Sequence, residues 1–254
     1  GYHPEAASAE FPPSDRPIRL LGMVSAVALA LVAAAAPFRV AADEPAYGFR
    51  TRMAELHPNR LAADTLPVRV DETVVDTGWD LVCQTDHAVV RHAADDLRDF
   101  FAKSMGVPLA GTGTGRIELA VASETNALTS RVIISANRIR VTGATPREVL
   151  QGCCRLEDML NARGCPAIAR GERTFTRLFS PRMTHSGWEV EKFPDVYMDQ
   201  LAHAGMDAIL VFIADPPDVT RNGREDMNAL VERARVRGLD VYAYCAFPVK
   251  AAKC

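Results

Sequence analysis

The most constraining feature of the sequence is a regular alternation of apolar strands and helices after residue 172. Three strands are predicted to begin at residues 175, 208 and 240, so their starts lie 33 and 32 residues apart. The segment 208–214 (AILVFIA) is apolar throughout, as expected of a strand in a covered parallel sheet. This spacing matches a (β/α)8 barrel, which needs about 250 residues. We therefore predict three units of an incomplete barrel over 173–254, with an open doubly wound sheet as the alternative.

The preceding segment, 43–172, has a different order of elements. Its patterns predict a strand or irregular hairpin at 73–82, a helix at 89–101 capped by Asp86, a strand at 117–122, and a hairpin formed by 131–135 and 138–142. A helix at 146–162 follows, with Thr145 as its cap, Pro146 in the first turn and Glu148 completing a capping box. This order predicts a small α+β sandwich, an antiparallel-type sheet with two helices on one face.

The N-terminal segment has the pattern of an export signal. Arg16 and Arg19 precede an apolar run at 20–36, and small residues up to Ala42 suit signal peptidase. We therefore predict that residues 1–42 are removed near Ala42 and that the protein is secreted or periplasmic. An uncleaved membrane anchor is the alternative, and no membrane contact is expected after cleavage.

Charge and motif content exclude several classes of partner. The formal net charge is −3, from 29 basic and 32 acidic residues, which gives no basic surface for nucleic acid. Gly111, Gly113 and Gly115 lie between a helix and a strand, whereas a phosphate-binding loop needs glycines that open a helix. The six cysteines lack zinc-ligand spacing and are interpreted as small buried side chains. No cofactor or metal is predicted, and the oligomeric state is left open.

Four candidate binding residues follow the predicted parallel strands, where both fold alternatives place their chemistry. Arg182 can direct several hydrogen bonds to hydroxyls or to a carboxylate, and His185 can donate hydrogen bonds or transfer protons. Asp215 can bind sugar hydroxyls, and Tyr244 can stack on a sugar ring. Each has a structural alternative: a salt bridge for Arg182, a solvated loop for His185, a turn cap for Asp215, and packing beneath helices for Tyr244.

Three features together resemble glycoside hydrolase family 20, the β-hexosaminidase-like enzymes, and the neighbouring α-glucuronidases. They are the hairpin ending at 139–142, the helix at 146–162 and the stretch LFSPR ending at Arg182. The resemblance covers residues from about 70 to the end of the sequence. It implies an accessory α+β domain at 43–172 ahead of a barrel at 173–254, and a sugar-contacting role for Arg182. This sequence departs from the family pattern at Phe179 and Met183, where an acid and a histidine would stand.

The resemblance also implies a function. We expect the N-terminal part of an exported glycoside hydrolase acting on hexosamine- or uronic-acid-containing carbohydrate. The family's acidic pair follows the fourth barrel strand, so the catalytic acid is expected beyond residue 254 and this chain alone is expected to be inactive. The alternative is a non-enzymatic module that binds carbohydrate or protein.

Overall fold

The computed structural model describes residues 55–64, 66–123, 126–185, 193–212 and 226–244, all within one compact unit. These ranges contain ten strands and four helices. The strands are β1 Glu72–Val74, β2 Trp79–Cys83, β3 Gly115–Val121, β4 Thr129–Ser135, β5 Arg138–Gly143, β6 Ala167–Ala169, β7 Gly171–Thr176, β8 Met183–His185, β9 Ala208–Phe212 and β10 Asp240–Tyr244. The helices are α1 Ala88–Lys103, α2 Pro146–Arg163, α3 Asp195–His203 and α4 Met227–Val236.

The largest sheet has five strands in the order β2-β3-β5-β4-β7, and it is mixed rather than antiparallel. β3 is parallel to both β2 and β5. The first of these pairings is parallel because α1 carries the chain from β2 back to the start of β3. β4 is antiparallel to β5 and β7. The predicted hairpin is confirmed, since Ser135 pairs with Arg138 across a two-residue turn.

Both predicted helices pack on one face of this sheet and on each other, as expected. Their apolar stripes meet the inward side chains of the strands in a single core. Its fully buried members include Val90, Leu97, Phe101, Ile117, Leu119, Ile139, Val141, Val149, Leu156 and Leu160. The opposite side chains of β5 are the exposed Arg138 and Arg140, so the other face of the sheet is polar.

The ends of the helices show which sequence signals were used. α2 begins as predicted, with the Glu148 amide donating to Thr145 Oγ1 at 3.3 Å, and Gly164 ends it with φ +71°. α1 is capped by His87, whose Nδ1 accepts from the Val89 amide at 3.2 Å. Asp86 was therefore the wrong cap.

Two strand predictions were wrong, because the strands form with partners that are distant in the sequence. The segment 73–82 divides into β1, which pairs with β6, and β2, which joins the five-stranded sheet. The strand predicted to begin at residue 175 is not part of the parallel sheet: β7, which pairs with β4, ends at Thr176, and the first strand of the parallel sheet is β8. β7 runs across the predicted boundary between residues 172 and 173.

The second sheet has the order β10-β9-β8, and its strands are parallel. α3 and α4 cover one face through a core that includes Met198, Leu201, Ile209, Val211 and Leu230. The described chain is thus a mixed α/β structure with a partial α/β unit, and closure into a barrel remains a prediction. Over the described ranges, no helix has the length and apolar character needed to cross a bilayer. Four described cysteines are free thiols; Cys245 and Cys254 lie outside the described residues.

One buried acid ties β1 to the end of α2. Glu72 accepts hydrogen bonds from Arg163 Nε at 2.7 Å and from the Arg69 amide at 2.8 Å. The hydrogen bond from Arg163 is the largest influence on the Glu72 carboxyl, and together these contacts lower its pKa to about 2 against the desolvation that opposes them.

We expect Glu72→Gln to remove stability that depends on pH. Because the folded-state pKa lies below the ordinary value of 4.5, the contribution of Glu72 is complete above pH 4.5 and is lost as the pH falls toward 2. Urea unfolding of both proteins should therefore give the largest difference near pH 7 and a vanishing one near pH 2. The control is Glu172→Gln, which alters an exposed pair with Arg131 and should change little at any pH. A difference for Glu72→Gln that does not vary with pH would contradict this account.

Candidate functional site

The C-terminal ends of the three parallel strands form the candidate site. His185, Phe212 and Tyr244 are the last residues of β8, β9 and β10. Tyr244 pairs with Phe212, and His185 pairs with Leu210, so the three strand ends lie side by side on one edge. Ligands of open and closed α/β folds bind at this edge.

These three rings form a contiguous group, which we call the aromatic edge. The Phe212 ring lies 4.9 Å from the Tyr244 ring at an interplanar angle of 71°, and 6.3 Å from the His185 ring at 81°. Both contacts are edge-to-face, the arrangement that aromatic pairs prefer. Phe212 therefore links the two predicted residues, and the group presents ring faces together with an imidazole and a phenol.

The aromatic edge lies on the side of the sheet that the helices leave open. Along β10, Val241 packs toward the α3–α4 core, whereas Tyr242 and Tyr244 are 42% and 44% exposed. Tyr244 thus does not pack beneath helices, the alternative that its alternation with small residues suggested. The predicted period of two is present in β10, but the sequence could not say which face the helices would cover.

Asp215 lies outside the described residues, as does the whole segment 213–225 that follows β9. Among the described residues of this edge, none carries a carboxylate. Glycoside hydrolysis requires one or two carboxyl groups at the scissile bond. A carboxylate that acts at this edge would therefore come from residues outside the described ranges.

Arg182 lies at the opposite end of β8 from His185. The prediction that it follows a strand was wrong, because β8 begins at Met183, and three extended residues separate the two positions by about 10 Å. Its carbonyl accepts from the amides of Asp207 at 3.0 Å and Ala208 at 3.2 Å. Its Nε and Nη2 atoms are buried and have no hydrogen-bond partner among the described residues. Burial lowers the pKa of the Arg182 guanidinium, and the nearby Arg177 lowers it further.

Arg182 borders a pocket of about 430 Å³ between β7 and α2, lined also by Gln151, Arg155, Arg177 and Phe179. Beside it stands a buried ion triad, in which Arg177 bridges Glu148 and Asp207. Glu148 is the residue expected to complete the α2 capping box, but its carboxylate accepts from Arg177 Nε at 3.0 Å. The triad connects the helix-covered five-stranded sheet to the start of β9.

A second polar group was not anticipated from the sequence. His57, Asp96, Glu157 and His203 come from four separate segments, yet one donor atom of each lies within 4.8 Å of the others. His203 ends α3 and lies five residues before the first residue of β9, so this group is near the N-terminal end of the strands. Intervals of 39, 61 and 46 residues carry no motif, and no local sequence signal would have found it.

Comparison with known proteins supports the fold. The sequence matches no protein-family model and no curated protein. The family 20 β-N-acetylhexosaminidase of Streptomyces coelicolor A3(2) is 17% identical, with a TM-score of 0.53 over 73% of this chain and 46% of its own. The chitobiase of Flavobacterium johnsoniae is 13% identical, with a TM-score of 0.52 over 70% of this chain and 32% of its own. A mutant Streptomyces plicatus β-hexosaminidase in complex with the product GlcNAc is 17% identical, with a TM-score of 0.51 over 76% and 47%.

These similarities establish a glycoside hydrolase-like fold. Identities of 13–17% are too low to carry substrate or catalytic residues from one protein to another. The chain spans less than half the length of each of these three solved structures.

Proposed function

We propose that this chain belongs to a secreted glycoside hydrolase and supplies its accessory α+β unit together with the first βα units of its catalytic domain. The substrate class we propose is hexosamine- or uronic-acid-containing carbohydrate. The observation that carries the proposal is the aromatic edge, because it stands at the strand ends where α/β folds bind their ligands.

The chemistry of the aromatic edge suits a sugar. A pyranose presents an apolar face of C–H groups and a rim of hydroxyls, so it needs a flat apolar partner beside directed polar groups. The exposed Tyr244 ring supplies the flat partner. The Phe212 ring contacts it edge-to-face, with 4.9 Å between the ring centres. His185 supplies ring nitrogens for a hydroxyl, and Asp215 is proposed to add a carboxylate.

The bond-breaking groups are proposed to lie outside the described residues. In this proposal the catalytic carboxyl pair acts on a sugar held by the aromatic edge. The pocket beside Arg182 is proposed to have a separate role, since Arg182 and His185 stand at opposite ends of β8.

Sugar binding by the full chain tests the proposal. Isothermal titration with N-acetylglucosamine oligosaccharides and with glucuronic-acid oligosaccharides should detect binding to one class. Tyr244→Ala should weaken that binding about 2- to 12-fold, because an aromatic contact contributes about 0.5–1.5 kcal/mol and 1.4 kcal/mol corresponds to tenfold.

Phe179→Ala is the matched control. Phe179 is also an exposed aromatic residue, at 63%, but it borders the Arg182 pocket rather than the aromatic edge. Its substitution should leave binding within twofold of the unsubstituted chain. Loss of binding in Phe179→Ala with retention in Tyr244→Ala would refute a sugar site at the aromatic edge.

The same titrations separate the enzyme from a binding module. Arg140 stands on the polar face of the five-stranded sheet, away from the parallel sheet. Sugar binding that depends on Arg140 and not on Tyr244 would favour a non-enzymatic carbohydrate-binding module.

A further inference from the structure

A buried polar cluster joins four segments of the chain. His57 Nε2 lies 2.7 Å from Asp96 Oδ1, and His203 Nε2 lies 2.7 Å from Asp96 Oδ2. His203 Nδ1 lies 3.3 Å from Glu157 Oε2. His57, Asp96 and Glu157 are 5%, 9% and 3% exposed. In a tetrahedral Zn²⁺ site with bonds of about 2.0–2.2 Å, the donors lie about 3.3–3.6 Å apart, so the most distant donors of this cluster, within 4.8 Å of each other, would approach by roughly 1 Å to share an ion.

The cluster has acidic groups whose only possible cationic partners among the described residues are its own histidines. It contains two carboxylates and two imidazoles, and no described arginine or lysine forms a hydrogen bond or ion pair with Asp96 or Glu157. Buried carboxylates are either neutralised by protonation or compensated by a positive charge, and burial raises the pKa of the Glu157 carboxyl well above its ordinary value when no cation is bound. One divalent ion neutralises both acids and leaves both imidazoles in the neutral form that coordinates metals.

The hydrogen bonds within the cluster do not satisfy all of its acceptors. Glu157 Oε1 is buried and has no hydrogen-bond partner among the described residues. An unsatisfied buried acceptor costs about 1–3 kcal/mol. The imidazoles form hydrogen bonds to both oxygens of Asp96, whereas Glu157 has only the 3.3 Å contact between its Oε2 atom and His203 Nδ1.

We propose that His57, Asp96, Glu157 and His203 bind one divalent transition-metal ion, with Zn²⁺ as the best match. Two imidazole nitrogens and two carboxylate oxygens are ligands that zinc accepts, whereas Mg²⁺ and Ca²⁺ prefer oxygen alone. Four protein ligands fill a tetrahedral shell, so the ion is structural. It ties the segment before β1, α1 and α2 to the end of α3.

Metal uptake by the full, tag-free chain tests the site. After chelator treatment and dialysis against Zn²⁺, mass spectrometry of the metal content should find one equivalent per chain. Thermal unfolding at free Zn²⁺ about 100 times the Kd should show a Tm increase of about 5–10 °C. Co²⁺ in place of Zn²⁺ should show the d–d absorption of a four-coordinate site.

Glu157→Gln and His203→Gln should lose both the equivalent of zinc and the Tm increase. The matched control is His92→Gln: the His92–Asp199 contact at 3.0 Å joins α1 to α3, as the Asp96–His203 contact does, but His92 lies outside the cluster. This control should keep the zinc and the Tm increase. Absence of zinc uptake by the unsubstituted chain would overturn the proposal, and so would undiminished uptake by Glu157→Gln. If His203→Gln does not fold, zinc uptake by the unsubstituted chain and by Glu157→Gln decides whether the cluster binds the metal.

Discussion

Replacing Arg177 with methionine should lower the free energy of unfolding by about 3–5 kcal/mol at neutral pH. The Arg177 side chain is 8% exposed, and the carboxylates of Glu148 and Asp207 that it bridges are each 1% exposed. Methionine keeps the length of the side chain but removes its charge, so two acids remain buried without their cation. Urea unfolding at pH 7 measures the loss.

The loss should shrink in acid. Burial opposes ionisation of Asp207, but hydrogen bonds from Ser180, from Arg177 and from the Arg182 amide outweigh it and hold the pKa of Asp207 below its ordinary value. A lowered pKa stabilises the folded state above the unfolded-state value of about 3.9, and this contribution is lost as the pH falls below it. The difference between the two proteins should therefore narrow below about pH 4.

Two further variants identify the cause of the loss. Arg235→Met removes an exposed arginine that pairs with Glu232, and it should cost less than about 1 kcal/mol. Asp207→Asn combined with Arg177→Met should recover part of the loss, because one uncompensated charge is removed. Equal losses for Arg177→Met and Arg235→Met would show that the triad is not the source of the stability.

Local signals in the sequence predicted local structure well. The apolar spacing of α1, the Thr145 cap and Gly164 end of α2, and the two-residue turn between β4 and β5 all depend on residues within one or two helical turns. Parallel pairing of β9 and β10 also followed from apolar strands separated by a helix, whereas β8 was not predicted.

The wrong predictions concern partners that are distant in sequence. The segment 171–176 has the alternation of a strand, but only its pairing with β4, about 40 residues earlier, assigns it to the five-stranded sheet. Arg182 was consequently predicted to follow a parallel strand, whereas in the structure it immediately precedes β8. Glu148 has the spacing of a capping box, yet its carboxylate accepts a hydrogen bond from Arg177, which lies 29 residues later in the sequence.

The candidate site residues also differ in whether a local sequence signal could identify them. His185 and Tyr244 were identifiable because each follows a predicted parallel strand, and their contact with Phe212 depends on the pairing of neighbouring strands. His57, Asp96, Glu157 and His203 meet only because α1, α2 and α3 pack together. A binding group assembled by helix packing has no fixed interval in the sequence.

Gly143 sets how closely α2 can approach the five-stranded sheet, and Gly143→Ala should lower the free energy of unfolding by about 3 kcal/mol, at the upper end for overpacking. A Cβ at this position would lie 2.3 Å from the Val149 amide nitrogen and 2.4 Å from the Glu148 carbonyl carbon. Both are backbone atoms in the first turn of α2, so the helix must move rather than a side chain. That movement would also displace Glu148 from the buried ion triad.

Gly152→Ala provides a graded comparison within the same helix. The added methyl would lie 2.6 Å from Val141 Cγ1, a side-chain atom, and alanine is favoured over glycine in a helix by about 1 kcal/mol. We therefore expect Gly152→Ala to be about 1–2 kcal/mol less destabilising than Gly143→Ala in urea unfolding. Two results would show that α2 is not in close contact with β5 at Gly143. One is a decrease in the free energy of unfolding below about 0.5 kcal/mol for Gly143→Ala, and the other is a larger decrease for Gly152→Ala than for Gly143→Ala. Glu148 is a member of the triad, so displacement of α2 by Gly143→Ala should weaken its ion pair with Arg177. Arg177→Met should then lower the free energy of unfolding less in the Gly143→Ala background than in the unsubstituted chain.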